Sequence, residues 1–264
     1  MKFALVDGNR IGATNGARGV CPSCGSELIA KCGEVKINHW AHKSIRNCDP
    51  WWENETEWHR SWKNHFPAEW QEIILPDEQT GEKHIADVRT AHGLVIEFQH
   101  SKIDKQERIS REKHYKRMVW VVDGTRSKRD YPKFVKGKKY FRETNKEKFY
   151  LIDYPDTCFP SDWLESSVPI IFDYKGTESI DDFDNTKNYL YCLLPKQQDK
   201  REVTLAKVSR EDFINNTIND IWFKKPEPQK QMVKKTVQRF VVSRRVSTHY
   251  YNNRLGLWIP KKRF

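Results

Sequence analysis

The sequence predicts an α/β fold in which helices flank a small mixed β-sheet. Residues 51–124 follow the order helix, three strands, helix and strand. The last strand of that series is a continuous apolar run, which is typical of an interior strand covered on both faces. The first 50 residues differ in composition because they hold four of the six cysteines. We therefore predict a separate N-terminal module in front of the α/β core.

Length and composition indicate a folded chain. Of 264 residues, 37% are hydrophobic, with 10 Trp, 10 Tyr and 13 Phe, which excludes full-length disorder. No apolar run approaches the roughly 18 residues of a membrane span, and the chain reaches Asp7 too early for a signal peptide. We expect a soluble, cytoplasmic protein that does not contact a membrane.

The positive charge of the chain is concentrated near its end. Lys and Arg number 47 against 36 Asp and Glu, a net charge of +11. Residues 224–264 hold 12 of the basic residues and a single acid, Glu227, so the rest of the chain is balanced. A balanced body with a basic tail predicts a polyanionic partner, most often nucleic acid. A solubilising tail is the alternative interpretation.

The middle region begins with a predicted helix. Asn54 with Glu57 three residues later has the spacing of a capping box, and Pro67 ends the helix after Phe66. Its buried stripe has the i, i+4, i+8 spacing of Trp58, Trp62 and Phe66. The elements predicted to follow are strands near Glu69–Leu75, His84–Thr90 and Leu94–Gln99, a polar helix from Asp104 to about Arg117, and the strand Met118–Val122.

The second and third of these strands form a hairpin that carries two acids. If residues 91–93 are a three-residue loop, Asp87 faces Glu97 with their Cβ atoms about 5 Å apart, and Gln99 shares that face. Two carboxylates at this distance repel unless a cation lies between them, and Mg²⁺ takes such oxygen ligands. A solvated strand face is the alternative, and a two-residue loop would separate the pair.

A polar stripe on the predicted helix adds to this site. Glu55, His59 and Lys63 recur at i, i+4 and i+8, beside the apolar stripe and therefore at the rim of the core. If the helix packs on the polar face of the hairpin, three carboxylates and a lysine converge. An ordinary surface pair explains the spacing equally well.

Cysteines and histidines in the first 50 residues predict a structural zinc site. Cys21 and Cys24 have the spacing of a zinc knuckle. The second half is offered by His39, His42 and Cys48. Since five candidates compete for four positions, we prefer the three cysteines with one of the two histidines. Free thiols beside a histidine pair are the alternative.

The order of these motifs resembles a known family. Its marks are Cys21-x2-Cys24, His39-Trp40-Ala41-His42, Cys48, Glu55-x3-His59-x3-Lys63, Ala86-Asp87, Glu97-Phe98-Gln99-x-Ser101, Arg111-x3-Tyr115 and Trp120-Val121-Val122. Over about residues 18–124 they look like the competence-protein CoiA-like nucleases of the PD-(D/E)xK superfamily. The resemblance implies that superfamily's core of helix, three-stranded mixed sheet, helix and strand.

The resemblance also implies roles for individual residues. Asp87 and Glu97 would bind Mg²⁺ or Mn²⁺, with Glu55 as a third carboxylate. Gln99 occupies the position where the wider superfamily usually has lysine. CoiA-like sequences also have glutamine at this position. The cationic role then passes to Lys63 or Lys102, and His59 is a candidate for orienting water.

The polar helix and its approach are predicted to contact phosphates without reading sequence. The candidates are Lys102, Arg108, Arg111, Lys113 and Tyr115. For Arg111 and Tyr115 a structural role is equally compatible with the sequence: the first would brace the carboxylates and the second would pack on the sheet.

The sequence thus predicts a metal-dependent DNA endonuclease acting in DNA uptake, recombination or defence against foreign DNA. A non-catalytic DNA-binding protein and a nuclease subunit activated by a protein partner are the alternatives. The predicted domains are a zinc-binding module (1–50), the nuclease core (51–124), an unassigned, mainly β extension (125–223) and a basic tail (224–264). The extension has strand-like runs at 169–174, 189–194 and 203–208, and the tail has helical spacing from 233 to 241.

Overall fold

A nine-stranded mixed sheet organises most of the protein in a computed structural model, which describes residues 1–44, 48–77, 80–176, 186–196, 201–222 and 248–261. The chain divides into two compact units, Met1–Phe223 and Lys224–Phe264. The predicted tail helix lies outside the described residues. The four-part domain division stays a prediction.

The N-terminal residues form a five-stranded antiparallel sheet with its own small core. The strands are β1 (Phe3–Val6), β2 (Asn9–Gly12), β3 (Arg18–Val20), β4 (Glu27–Lys31) and β5 (His39–His42). Their order is β2-β1-β3-β4-β5. Leu28 and Trp40 are buried at its centre together with Cys21 and Cys48, so the predicted metal ligands lie against the core of this sheet.

The large sheet has the order β10-β11-β14-β13-β12-β9-β8-β7-β6. Its strands are β6 (Gln71–Pro76), β7 (Lys83–Arg89), β8 (Val95–Gln99), β9 (Met118–Asp123), β10 (Phe141–Glu143), β11 (Phe149–Ile152), β12 (Ile170–Asp173), β13 (Tyr189–Leu193) and β14 (Val203–Ser209). The helices are α1 (Glu57–Lys63), α2 (Lys105–Tyr115), α3 (Asp130–Gly137) and α4 (Arg210–Ile218). The predicted strands and polar helix of residues 69–122 are confirmed to within two residues.

Strand β9 lies at the centre of this sheet and explains the apolar run. It pairs in parallel with both β8 and β12, and all six of its residues are buried. Trp120 faces a core that includes Tyr115 of α2 and Phe134 of α3. Val121 faces the opposite core, which includes Trp62 of α1 and Phe213 of α4. Helices therefore cover both faces, as the α/β prediction requires.

The prediction for the start of α1 is wrong in detail. Thr56, not Asn54, is the N-cap: its hydroxyl accepts a hydrogen bond from the His59 amide at 3.3 Å, and the His59 ring completes the capping box. The helix also ends earlier than predicted, at Lys63. Phe66 stays in a turn whose amide donates to the Lys63 carbonyl at 3.0 Å, so the apolar stripe continues past the helix.

The region after residue 124 extends the sheet of the core. All three strand-like runs predicted there are confirmed, as β12, β13 and β14. Because β12 pairs with β9, the extension shares one sheet with the predicted nuclease core. Among the described residues no helix is long and apolar enough to cross a membrane.

Candidate functional site

The β7–β8 hairpin has the predicted register. The Thr90 amide donates to the Leu94 carbonyl at 2.9 Å, and Gly93, at φ +80°, supplies the left-handed residue of the turn. Val88 pairs with Ile96, and continuing this register by one step sets Asp87 opposite Glu97. The two acids are linked through the backbone: the Asp87 amide donates to Glu97 at 3.2 Å, and the Phe98 amide donates to Asp87 at 2.9 Å.

Glu97 is buried beside one acid and one base. Its side chain accepts a hydrogen bond from the Arg111 guanidinium at 2.9 Å. Burial and the neighbouring Asp87 carboxylate nevertheless raise the pKa of Glu97 to about 8. Arg111 acts in the opposite direction but does not outweigh these two effects.

Lys63 supplies the central positive charge of the site. Its ammonium group lies 2.7 Å from Glu55, 3.2 Å from Glu72 and 3.7 Å from Asp87. Burial alone would lower the pKa of Lys63, but the carboxylates of Glu72, Glu55 and Asp87 raise it above its ordinary value. Lys63 is therefore charged although its side chain is only 3% exposed.

Glu55 is bound to cations of its own segment. It lies before α1 rather than on it, so the predicted helical stripe of Glu55, His59 and Lys63 is correct only for its last two members. Arg60 donates to its carboxylate at 2.6 and 2.9 Å, and Lys63 adds a third contact. Burial would raise the pKa of Glu55, but these two cations lower it well below the usual range.

The site contains one cavity of about 60 Å³, which has room for one or two water molecules. The side chains that line it include Glu55, His59, Lys63, Asp87 and Glu97. Glu55, Asp87 and Glu97 do not form the predicted three-carboxylate cation site. In the part of the chain that the structure describes, their carboxylate oxygens do not all lie within 4.8 Å of one another. Asp87 and Glu97 are joined through backbone amides of each other's strand, whereas Lys63 lies between Asp87 and Glu55.

Three further acids of this cavity were missed by sequence reasoning, Asp49, Glu53 and Glu72. Gln99 donates to Glu53 at 2.7 Å, and the Ser101 amide donates to it at 2.6 Å, so Gln99 holds a loop rather than a phosphate. Glu72 accepts hydrogen bonds from the amides of residues 2 and 3 at 2.7 and 3.1 Å. The contacts of Glu53 and Glu72 cannot be predicted from local sequence patterns, because each joins residues that are 46 or more positions apart.

Two histidines lie near the mouth of the site. His59 lines the cavity, and its Nδ1 is 3.0 Å from the Thr56 hydroxyl. His100 lies with its ring centre 6.2 Å from that of His59, and its Nδ1 is 2.8 Å from the buried Asp123 carboxylate. Residues 100 and 123 come at the ends of the parallel strands β8 and β9, which explains why they meet. Asp123 was not singled out from the sequence.

Three of the five predicted phosphate contacts are buried and are corrected. Arg108 is 1% exposed and pairs with Glu112 at 2.5 Å within α2. Arg111 braces Glu97, and Tyr115 packs edge-on against Trp51 with ring centres 6.0 Å apart. Part of the polar composition of α2 therefore reflects buried ion pairs. The two remaining candidates are exposed, Lys102 and Lys113.

The Cys/His cluster brings four of its five candidates together. The ligand atoms of Cys21, Cys24, His42 and Cys48 all lie within 4.8 Å of one another. Cys24 Sγ is 3.4 Å from His42 Nε2, and Cys21 Sγ is 4.0 Å from Cys48 Sγ. His39 is not in this set, and its Nδ1 lies 2.9 Å from the carbonyl oxygen of Ile37. The Cys3His cluster is compatible with tetrahedral zinc.

The raised pKa of Glu97 predicts a pH-dependent stability. The unfolded chain loses this proton near pH 4.5, whereas the folded chain keeps it up to about pH 8. Between these values the folded state binds more protons, so the free energy of unfolding falls as the pH rises and levels off above pH 8. Urea denaturation without added Mg²⁺ or Mn²⁺ should show a fall of about 2 kcal/mol between pH 6 and pH 8.

Glu97→Gln is the control for this pH dependence, because glutamine does not ionise. The variant should lose most of the fall in stability. An equally steep fall in the variant would show that another group causes it.

Two family models match the chain. The model described as competence protein CoiA, N-terminal domain, matches residues 14–50, which hold the Cys3His cluster. The model described as competence protein CoiA, nuclease-like domain, matches residues 83–159, which hold Asp87 and Glu97. Comparisons with curated proteins and with solved structures gave no significant match. The two matches follow each other in chain order, so the chain is similar to CoiA-like competence proteins over both stretches.

Proposed function

We propose that this protein is a metal-dependent DNA endonuclease of the PD-(D/E)xK type, which hydrolyses phosphodiester bonds during DNA uptake or recombination, or in defence against foreign DNA. The observation that carries the proposal is the facing pair of Asp87 and Glu97 in a cavity beside a buried, charged Lys63. The match to a nuclease-like domain over the same residues supports the reaction class.

The donor set of the cavity fits a hard divalent cation. Asp87 and Glu97 present carboxyl oxygens from paired strands, and burial together with the Asp87 carboxylate raises the pKa of Glu97 despite the opposing effect of Arg111. Oxygen-rich sites of this kind suit Mg²⁺ or Mn²⁺. Such an ion, when bound by Asp87 and Glu97, polarises a phosphate and lowers the pKa of a water molecule.

The remaining side chains orient this pair and balance its charge. Lys63 takes the cationic role that Gln99 cannot fill, and it reaches Asp87 from α1 rather than from the strand. Gln99 keeps the Ser101 loop in place through Glu53. His59 and the His100–Asp123 pair lie where a proton could be accepted or donated beside the cavity.

The N-terminal module is proposed to hold structural zinc through its three cysteines and His42, since all four positions are then filled by protein. DNA is the proposed partner. Lys102, Lys113 and the basic segment 224–264 offer the positive charge that would hold its phosphates.

A zinc measurement tests the ligand set. The purified protein should hold about one zinc ion per chain. His42→Ala should lower that content severalfold, because it removes one of the four ligands, whereas His39→Ala should leave it unchanged. Metal analysis by mass spectrometry measures both. Loss of zinc from the His39 variant but not from the His42 variant would refute the assignment.

A cleavage assay tests the site. Asp87→Asn and Glu97→Gln should each slow Mg²⁺- or Mn²⁺-dependent cleavage of plasmid and linear DNA by about 100-fold or more, because each replaces a carboxyl group that would bind the cation with a neutral amide. The exposed Glu69, which lies on the turn before β6, offers the matched control Glu69→Gln. Thermal unfolding checks that every variant folds.

Undiminished cleavage in both site variants would refute the proposed site. A non-catalytic DNA-binding protein is the second candidate, favoured by Gln99 in the lysine position. Tight DNA binding without cleavage under either metal would support it. Cleavage that begins only when a protein partner is added would instead identify a nuclease subunit of a larger complex.

A further inference from the structure

The described part of the second unit is a β-hairpin. Strands β15 (His249–Asn252) and β16 (Leu257–Pro260) pair antiparallel and form a two-stranded sheet. Gly256, at φ +67°, and an Asn252 side chain that accepts the Arg254 amide at 2.9 Å shape its turn. Two-stranded hairpins are marginally stable by themselves in water, so stabilising contacts are expected from a ligand.

Both faces of this hairpin expose large apolar side chains. On one face Tyr251 and Trp258 are directly paired, with ring centres 5.4 Å apart and planes at 61°. They are 48% and 66% exposed. On the other face Tyr250 is 47% and Leu257 64% exposed. Four large, exposed apolar side chains among eight strand residues indicate a binding surface, because exposed apolar residues on ordinary surfaces occur singly.

The charge around these rings selects the ligand. Residues 248–261 contain Arg254 and Lys261 but no Asp or Glu, and the whole segment 224–264 has 12 basic residues against one acid. A partner for this surface therefore carries negative charge next to flat groups that can stack. A nucleic acid strand has both at every nucleotide.

We propose that the β15–β16 hairpin binds single-stranded nucleic acid, with Trp258 and Tyr251 stacking on bases while Arg254 and Lys261 contact phosphates. Paired bases in a duplex are already stacked on their neighbours, so the rings favour unpaired strands. The choice of nucleic acid over another polyanion rests on the proposed nuclease function. The hairpin would then be a second contact, separate from the Asp87–Glu97 site.

Binding is tested on the full-length, zinc-loaded protein without added Mg²⁺ or Mn²⁺, where the proposed cleavage does not proceed. The probe is a fluorescent oligo(dT) of about 15 nucleotides, a length that matches compact single-strand sites, and anisotropy reports its affinity. Trp258→Ala and Tyr251→Ala should each weaken binding about fivefold to a hundredfold, as expected for the loss of one stacked base. Tyr154→Ala, which removes a 61% exposed tyrosine outside the hairpin, is the matched control and should bind as wild type.

Further outcomes decide between ligands. A duplex of similar length should bind more weakly than oligo(dT) and should respond less to Trp258→Ala. Equal oligo(dT) affinity of wild type and both hairpin variants would overturn the proposal. So would unchanged oligo(dT) binding together with hairpin-dependent sedimentation with phosphatidylserine vesicles, which would identify an anionic membrane surface. The two proposals fail separately: undiminished cleavage in the Asp87 and Glu97 variants would refute only the cleavage site, whereas unchanged oligo(dT) affinity in the Trp258 and Tyr251 variants would refute only the hairpin site.

Discussion

The register of the β7–β8 hairpin is the constraint on which the candidate site depends. A three-residue turn closed by the Thr90–Leu94 hydrogen bond sets Asp87 against Glu97. A slip of one residue would send one carboxylate to the opposite face and separate the pair. The two bases in turn hold the acids close, because an uncompensated pair of carboxylates would repel. Backbone pairing and charge balance thus specify the same arrangement.

The N-terminal sheet contributes directly to this arrangement. The amides of residues 2 and 3 donate to Glu72, which in turn contacts Lys63. Asp49, next to the metal-cluster residue Cys48, accepts the amide of Ile85 on β7 at 2.9 Å. Met1 and Asp49 also line the cavity. Disturbing the Cys3His cluster should therefore affect the acidic site as well as the fold of the module.

Local patterns made the hairpin and the strands predictable. Turn length and side-chain alternation are short-range properties, so the Val88–Ile96 register that points Asp87 toward Glu97 followed from the sequence and holds in the structure. The Cys-x2-Cys spacing likewise identified the cluster. Choosing His42 over His39 needed coordinates, since both lie on the same strand, β5.

Long-range contacts account for what the sequence could not supply. Arg108 looked like a phosphate contact because its helix is polar, yet Glu112 of the same helix pairs with it in the protein interior. Glu112 is held in turn by Ser166 and Ser167, more than 50 residues away. The ion pair of Glu55 with Arg60 was not predicted from the sequence either. Glu55 lies just before α1 and Arg60 lies on it, so their pairing depends on where the helix begins. The extension joins the core sheet because β12 pairs with β9. No local sequence pattern predicts this pairing.

Titration of the zinc-loaded protein with Mn²⁺, followed by electron paramagnetic resonance of the free ion, tests the central claim most directly. If Asp87 and Glu97 form a cation site, the wild type should remove Mn²⁺ from solution in a saturable way, and Asp87→Asn should abolish this while keeping its zinc. Mn²⁺ uptake that is absent in the wild type, or equal in the variant, would contradict the account.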